Sequence, residues 1–216
     1  MLSVRQFINE PVPSNCFVIY DKDVGTECII IDPGSRDEKK LFAYLKKGNF
    51  IPKYIILTHE HFDHCWGVNQ IVDCYHIPVI CSAICAEAVK DAKRNCSVFY
   101  DNGSSFKVEC ETITVESIGN VLLFGGAEIR FFSTPGHTDA SICFTAGNFL
   151  FTGDTLIKGL RTVTKLPNGS VSRLTESIKL LADMQGKGYT VYPGHNESFL
   201  LDGYDLSVNC TNNNES

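Results

Sequence analysis

The sequence lacks three features that mark common functional classes. No apolar stretch approaches the length needed to cross a membrane, and the N-terminus has no basic segment followed by an apolar one. No run of lysine and arginine exceeds two residues and the net charge is -6, so a basic surface for nucleic acid is not expected. We predict a protein without a secretory signal that binds neither membranes nor nucleic acid.

The chain also lacks internal divisions. Its 216 residues contain no linker rich in proline, glycine or serine and no repeat of fixed period. This length is sufficient for one large hydrophobic core. We predict a single domain over residues 1–208 and a polar, disordered tail over residues 209–216.

A disulfide framework is not expected, although the sequence has 10 cysteines. They are scattered through apolar segments, whereas such frameworks occur mainly in small secreted domains. We predict reduced thiols and a cytoplasmic location. Cys81 and Cys85 are expected in the core, and Cys65, although it follows His64 directly, is not expected to be a metal ligand.

What the sequence does contain is an alternation of short apolar strands with amphipathic helices, which is typical of an α/β fold. Helices are predicted from Ser35 to Gly48, with Glu38 completing a capping box, and over residues 68–75, 82–94 and 172–185. Strands are predicted over residues 17–20, 28–31, 54–57, 79–81, 112–117, 121–124, 129–133, 142–145, 149–152 and 190–192.

One of these strands leads into the most informative segment, Thr58-His59-Glu60-His61-Phe62-Asp63-His64. Three imidazoles and a carboxylate within six residues are a dense set of ligands for Zn²⁺ or another divalent first-row metal. An isolated histidine such as His76 is expected to be structural instead.

Three further strands lead into a turn that carries a ligand-type residue. They end at Pro135-Gly136-His137, Gly153-Asp154 and Pro193-Gly194-His195. Loops that leave strand ends can converge on one rim, where α/β proteins place their chemistry. The complete set of predicted metal ligands is His59, His61, Asp63, His64, His137, Asp154 and His195. This set is too large for one tetrahedral ion and suits two ions that share solvent.

With these motifs, and with Asp32-Pro33-Gly34 before them, the chain resembles the metallo-β-lactamase superfamily, and within it the short glyoxalase II-like hydroxyacylglutathione hydrolases. The resemblance implies an αββα sandwich of two mixed β-sheets flanked by helices. It further implies that one ion is held by His59, His61 and His137, that the other is held by Asp63, His64 and His195, and that Asp154 bridges the two.

The function implied by the resemblance is hydrolysis of an acyl thioester or an activated ester, a small-molecule substrate. Two divalent ions, zinc foremost with iron or manganese as alternatives, would hold a hydroxide as the nucleophile, and the catalytic carboxylates Asp63 and Asp154 would hold the ions. A thiolate leaving group needs little protonation, and no serine or cysteine nucleophile is required.

Several alternatives stay open. Persulfide dioxygenases resemble the same family with a single iron, for which His59, His137 and Asp154 would be the ligands; the sequence departs from their motifs at Gly194-His195-Asn196 and Gly159-Leu160-Arg161. A lactonase and a non-catalytic metal-binding protein are further alternatives. Asp154 and the missing signal disfavour the common β-lactamases, which place cysteine at the bridging position and are usually exported.

The thiol carrier is not specified by these motifs. Longer glyoxalase II enzymes have a C-terminal helical segment that helps to hold glutathione, whereas this chain ends at Ser216. Lys158, Arg161 and Lys165 lie in the loop after Asp154 and are expected to be solvated charges rather than substrate contacts. Whether glutathione is the physiological thiol therefore stays open.

Overall fold

Two six-stranded β-sheets pack face to face in the computed structural model, which describes residues 1–100 and 105–209. The first sheet has the order β1-β2-β3-β4-β5-β6. Its strands are β1 (Leu2–Ile8), β2 (Asn15–Asp21), β3 (Glu27–Ile31), β4 (Ile51–Ile56), β5 (Val79–Cys81) and β6 (Thr112–Thr114). The β1–β2 and β2–β3 pairs are antiparallel, and β3 through β6 are parallel.

The second sheet is also mixed, in the order β12-β11-β10-β9-β8-β7. Its strands are β7 (Val121–Phe124), β8 (Ala127–Ser133), β9 (Ile142–Ala146), β10 (Phe149–Gly153), β11 (Thr190–Pro193) and β12 (Phe199–Leu200). Only β10 and β11 run parallel in this sheet; the other described pairs are antiparallel.

Alternation along the strands divides the apolar side chains between the two faces of each sheet. In β3, Ile29 and Ile31 point into the layer between the sheets, whereas Cys28 and Ile30 belong to the cluster beneath the helices. The layer between the sheets is rich in isoleucine and phenylalanine and includes Phe17, Ile19, Ile56, Ile129, Phe131, Phe144 and Phe151. Removal of this apolar surface from water holds the two sheets together.

Helices cover both outer faces. The described α-helices are α1 (Lys39–Gly48), α2 (Phe62–Cys65), α3 (Val68–Tyr75), α4 (Ala83–Ala88) and α5 (Val171–Ala182). Leu41 and Leu45 of α1 and Val68 of α3 pack on the first sheet, and Leu174 and Leu181 of α5 pack on the second. The predicted αββα sandwich is therefore confirmed.

The predicted helix start at Ser35 is wrong, because α1 begins at Lys39. Half of the predicted capping box forms, since the Ser35 amide donates to Glu38 Oε1 at 3.0 Å. The Ser35 hydroxyl does not cap the helix; it donates to Asn9 Oδ1 at 3.1 Å. The hydrogen bond to Asn9 therefore replaces the capping hydrogen bond that was predicted for this hydroxyl.

Other element boundaries differ in smaller ways. The helix predicted over residues 82–94 is shorter, because α4 ends at Ala88 and turns follow. Strand β6 ends at Thr114, where a short 3₁₀ helix begins. Strands β1 and β12 are not among the predicted strands. Each is an edge strand of its sheet, and they pair with β2 and β11 respectively.

The chain's end and its thiols complete the description. Of the predicted tail, residues 210–216 lie outside the described residues, while Asn209 is fully buried. The nine described cysteines are free thiols, and Cys65, Cys81 and Cys85 are fully buried, as expected of core residues. A search of the described helices found none that is both long and apolar enough to span a membrane.

Candidate metal centre

The predicted ligands lie on four segments that leave the C-terminal ends of strands; Asp63 and His64 are in the short helix α2, and the others are in loops. His59, His61, Asp63 and His64 follow β4, His137 follows β8, Asp154 follows β10, and His195 follows β11. The loops are linked to one another, since the Ile142 amide donates to Thr58 O at 2.9 Å and the Gly194 amide donates to Gly153 O at 2.8 Å. The seven side chains therefore meet at one edge of the sandwich.

The first group of ligand atoms consists of three buried imidazoles. His59, His61 and His137 each offer a ring nitrogen, and these atoms lie within 4.8 Å of one another. The closest pair is Nδ1 of His61 and Nε2 of His137, 2.9 Å apart. This group matches the ligand set that the resemblance implies for one ion.

The second group combines a carboxylate with two imidazoles. Asp63, His64 and His195 also place one ligand atom each within 4.8 Å of the others. Oδ2 of Asp63 lies 3.7 Å from Nε2 of His64 and 3.4 Å from Nε2 of His195. The arrangement corresponds to the implied second set.

Asp154 lies between the two groups. Its Oδ2 is 3.6 Å from Nε2 of His137 and 3.5 Å from Nε2 of His195, and its Oδ1 is 3.5 Å from Nε2 of His64. One carboxylate thus faces histidines of both groups, as a bridging ligand must.

The donor set fits divalent ions on the evidence of its orphaned atoms. Among the described residues, four buried side-chain atoms have no hydrogen-bond partner: Oδ1 of Asp139 and three atoms of predicted ligands, Nε2 of His59, Nε2 of His64 and Oδ1 of Asp154. A buried polar atom without a partner costs free energy, so such atoms are rare unless an ion or water satisfies them. Three of them in one cluster of ligand-type atoms indicate a metal-binding cluster suited to divalent metals.

Hydrogen bonds on the far side of the rings determine which nitrogen faces the cluster. Nδ1 of His137 lies 2.7 Å from Val163 O, and Nδ1 of His195 lies 3.1 Å from Pro13 O. A carbonyl can only accept, so Nδ1 carries the proton in both rings and Nε2 offers its lone pair inward.

Asp32 makes hydrogen bonds that orient residues of the segment after β4. Its carboxylate accepts the Thr58 amide at 2.8 Å and the Thr58 hydroxyl at 2.7 Å, and it lies 3.1 Å from Nδ1 of His64. Because the Thr58 hydroxyl gives its proton to Asp32, it accepts from Nδ1 of His59 at 3.1 Å. Two ligands are thereby oriented by one buried carboxylate.

Two glycines allow the loops to approach so closely. A Cβ on Gly194 would lie 2.1 Å from Oδ1 of Asp154 and 2.8 Å from Cε1 of His64. Gly153 has φ +46°, and its Cβ would lie 2.4 Å from Oγ1 of Thr58. A larger residue at position 194 would push Asp154 and His64 away, and one at position 153 would displace Thr58, which orients His59.

Two imidazoles of the first group, those of His59 and His61, have lowered pKa values that favour the neutral form. Burial lowers the pKa of His59 well below its ordinary value, and neighbouring histidines lower it further. Burial, with His137 beside it, lowers the pKa of His61 to about 3. Neutral imidazole is the form that binds metal.

In the second group the pKa values of the two histidines are raised instead of lowered. Burial acts to lower the pKa of His64, but the carboxylates of Asp63, Asp154 and Asp32 raise it to about 9. Burial likewise opposes protonation of His195, yet bonds to Asp154 and Asp63 raise its pKa to about 11. Positive charge is therefore favoured here, from protons or from a metal ion.

Residues that the sequence placed outside the site stay outside it. The Cys65 thiol donates to Glu60 O at 3.3 Å and belongs to neither ligand group. His76 is the left-handed C-cap of α3. Lys158, in the loop after Asp154, pairs with Glu197 at 3.0 Å.

Glu60 was not assigned a role from the sequence. Glu60 is 1% exposed, and its Oε2 accepts the Thr138 hydroxyl at 2.9 Å, which links the first loop to the His137 loop. Burial raises the pKa of Glu60. The sequence shows only that Glu60 lies between two predicted ligands, His59 and His61. Its side chain points away from them, and its contact with Thr138 is visible only in the fold.

Comparison with known sequences agrees with this geometry. A model of the metallo-β-lactamase superfamily matches residues 9–195. An uncharacterised protein of Mycobacterium leprae (strain TN) is 30% identical over 192 residues, 85% of this chain and 87% of the relative. A hydroxyacylglutathione hydrolase of Citrobacter koseri is 32% identical over 155 residues, which are 72% of this chain and 52% of that enzyme.

Solved structures share the fold. The B3 metallo-β-lactamase BLEG-1 superposes with a TM-score of 0.82 at 28% identity, covering 92% of this chain and 94% of that one. TTHA1623 in a di-iron-bound form gives 0.76 at 24% identity, with 91% and 94% covered. ETHE1 from Myxococcus xanthus gives 0.69 at 21% identity, with 92% and 80% covered.

Proposed function

Because the chain belongs to the metallo-β-lactamase superfamily, we propose that it is a binuclear metal-dependent hydrolase of acyl thioesters or comparably activated esters. The observation that carries this proposal is the position of Asp154 between the two ligand groups. A site for a single ion would need neither the second group nor a carboxylate shared between them.

The two ions would be divalent, with zinc as the first choice and iron or manganese as alternatives. His59, His61 and His137 would hold one, Asp63, His64 and His195 the other, and Asp154 both. When bound, the pair would acidify a water molecule and polarise the substrate carbonyl. The di-iron-bound form of TTHA1623, which has the same fold, supports a binuclear site.

The chain's own contribution is to hold these ligands in place before the substrate arrives. His59 and His64 are oriented through Thr58 and Asp32, and His137 is oriented by the carbonyl of Val163. Ligands held in advance require no rearrangement during the reaction, which is the condition for electrostatic stabilisation of an oxyanion.

The substrate is expected to approach from the side of His195. The side chain of His195 is 22% exposed, against 11% for Asp154 and 4% for His137. The loop after Asp154 and the turn at Asn196 border this opening, and they meet where Asn196 Nδ2 donates to Lys158 O at 3.1 Å. The determinants of substrate choice are therefore expected in these two segments.

A thiol leaving group suits this site. Hydrolysis adds water across the C–S bond and yields a carboxylic acid and a thiol. Because the pKa of a thiol is near 8.5, it can depart as the thiolate without a strong acid to protonate it. Cys65, which directly follows His64, is disfavoured as a nucleophile, since burial raises its pKa well above the ordinary value. The similarity to a hydroxyacylglutathione hydrolase supports a thioester, although the match covers about half of that enzyme's length.

Metal content and substrate preference test the proposal together. Protein purified without chelators should contain about two divalent ions per chain and should release thiol from acyl thioesters. Asp154→Asn should lose both properties, and Asp73→Asn, a change on the exposed side of α3, should keep both. A single iron with persulfide-dependent O₂ uptake would contradict the proposal, and so would β-lactam hydrolysis faster than thioester hydrolysis.

A further inference from the structure

Residues 9–14, which connect β1 to β2, and Asn15, the first residue of β2, are here together called the β1–β2 strap. Its polar residues Asn9, Ser14 and Asn15 are 2%, 0% and 1% exposed. Polar side chains are rarely buried in a loop, because each must replace its lost water with hydrogen bonds. The partners of these three residues lie at the metal centre.

Asn15 donates hydrogen bonds to the turn that carries His195. Its Nδ2 donates to Pro193 O at 2.9 Å and to Asn196 O at 2.8 Å, and its backbone amide donates to Gly194 O at 2.6 Å. Three carbonyls around His195 are thus held by one residue. Pro13, two positions earlier, accepts from Nδ1 of His195 itself at 3.1 Å.

Ser14 and Asn9 hold the other end of the same ligand group. The Ser14 hydroxyl donates to the backbone carbonyl of Asp63, and Asn9 Nδ2 donates to the Ser14 hydroxyl at 2.8 Å. Asn9 Nδ2 also donates to Asp32 O at 3.1 Å. Asp63 and His195, which approach the cluster from different sheets, are therefore both fastened to one strap.

The strap serves one ligand group and not the other. Among the described hydrogen bonds, none joins residues 9–15 to His59, His61 or His137. His59 is oriented by Thr58 and His137 by the carbonyl of Val163, as described above. Asp32 supports both groups, since it reaches His59 through Thr58 and contacts His64 directly. The contacts of the strap with the Asp63 carbonyl and with the His195 turn belong to the second group alone.

We propose that Asn15 and Ser14 are positioning residues for the ion held by Asp63, His64 and His195, and that the strap determines whether the centre is binuclear or mononuclear. This inference rests on the proposed binuclear function. Removal of the strap contacts loosens the turn at His195 and the carbonyl of Asp63 and leaves the first group of imidazoles in place.

Gln6 sets the orientation of the Asn15 amide. Its Nε2 donates to Asn15 Oδ1 at 2.7 Å, which leaves Asn15 Nδ2 to face the two carbonyls. Gln6, Asn15 and Asn196 line a surface cavity of about 380 Å³. Water from this cavity can reach carbonyls that lose the Asn15 amide, so replacement of Asn15 is compatible with folding.

Zinc titration of the metal-free protein tests the proposal without any substrate. For wild type two binding events are expected. In Asn15→Ala and Ser14→Ala the affinity for the ion at Asp63, His64 and His195 should fall by about 10- to 100-fold, the usual effect of removing an outer partner of a ligand. The affinity for the other ion should stay within about two-fold of the wild-type value. Asn15→Asp, which keeps the shape and loses the donors, should behave like Asn15→Ala. Gln6→Ala, which leaves Asn15 in place, should give a smaller change in the same direction.

Gln185→Ala is the matched control. Gln185 Nε2 also bridges two carbonyls, those of Leu201 and Tyr204, in a segment without metal ligands. This variant should bind both ions as wild type does. Equal weakening of both ions in Asn15→Ala, rescue by Asn15→Asp, or unchanged binding would overturn the inference alone. A wild type that binds only one ion would overturn it together with the proposed binuclear function.

Discussion

The carboxylate of Asp32 lies 3.1 Å from Nδ1 of His64, and both side chains are almost fully buried, at 2% and 0% exposed. His64 Nε2 faces Asp154 on its other side at 3.5 Å. The ring is therefore held between a carboxylate below the site and a carboxylate within it. A carboxylate–histidine pair of this kind fixes the tautomer and raises the ligand's basicity.

Replacement of Asp32 should weaken metal binding through His64. Asp32→Asn keeps the shape but removes the charge that stabilises the Nδ1 proton, so the ion at Asp63, His64 and His195 should bind about 10- to 100-fold more weakly. Competition with a zinc-binding dye measures this affinity. Unchanged affinity in Asp32→Asn would show that the pair is dispensable.

Asp154→Ala should lose metal and hydrolytic activity together while the protein stays folded. The side chain contributes two oxygens to the cluster and lies outside the three apolar cores. Activity should fall by at least about 100-fold, the scale of losing one main stabilising group in an active site. Elemental analysis, circular dichroism and a thiol-release assay report the three quantities. Full activity in this variant would remove Asp154 from the site.

Metal affinity should depend on pH differently at the two ligand groups. The raised pKa values, about 9 for His64 and about 11 for His195, mean that both rings are protonated at neutral pH without metal. Binding there must displace two protons, so affinity should rise by up to about 100-fold per pH unit between pH 6 and 8 and fall as pH falls. His59 and His61, whose pKa values are lowered, should release no proton. Calorimetry in buffers of different ionisation enthalpy counts the protons.

The same shifts should act on the stability of the metal-free protein with the opposite sign. A histidine whose folded pKa is raised stabilises the fold fully below its ordinary pKa of 6.5, and this contribution disappears as pH rises through the folded value. Metal-free protein should therefore lose stability as pH rises through about 9. Urea unfolding at several pH values gives the comparison, and a stability that keeps rising above this range would contradict it.

Gly194→Ala should disrupt the centre by contact rather than by charge. The added Cβ would lie 2.1 Å from Oδ1 of Asp154, so the ligands must separate, at a cost of about 1–3 kcal/mol of stability and with loss of metal. Gly147→Ala is the control, since Gly147 has φ +60° and nothing within 4 Å of its added Cβ. It should cost about 1 kcal/mol through backbone strain and should bind metal normally. Equal metal content in the two variants would exclude the contact effect.

Much of the fold could be predicted because its signals are local. The apolar runs at Cys28–Ile31 and Tyr54–Leu57 and the turns after them identify strands that are buried on both faces. Strand β1 gives a weaker signal, because it lies at the edge of its sheet and most of its residues are only partly buried. The start of α1 was misplaced because Ser35 bonds to Asn9, a residue far from it in sequence.

The sequence by itself determined which atoms are available to a metal and that they follow strand ends, because ligand type and strand periodicity are properties of neighbouring residues. The family resemblance, and not the pattern of neighbouring residues, implied how these atoms divide into two groups with Asp154 between them. Only the tertiary structure decided the distances within the groups and that Asn15 holds Asn196 across 181 positions of chain. Such contacts depend on the packing of two sheets, and packing joins residues whose separation in sequence carries no pattern.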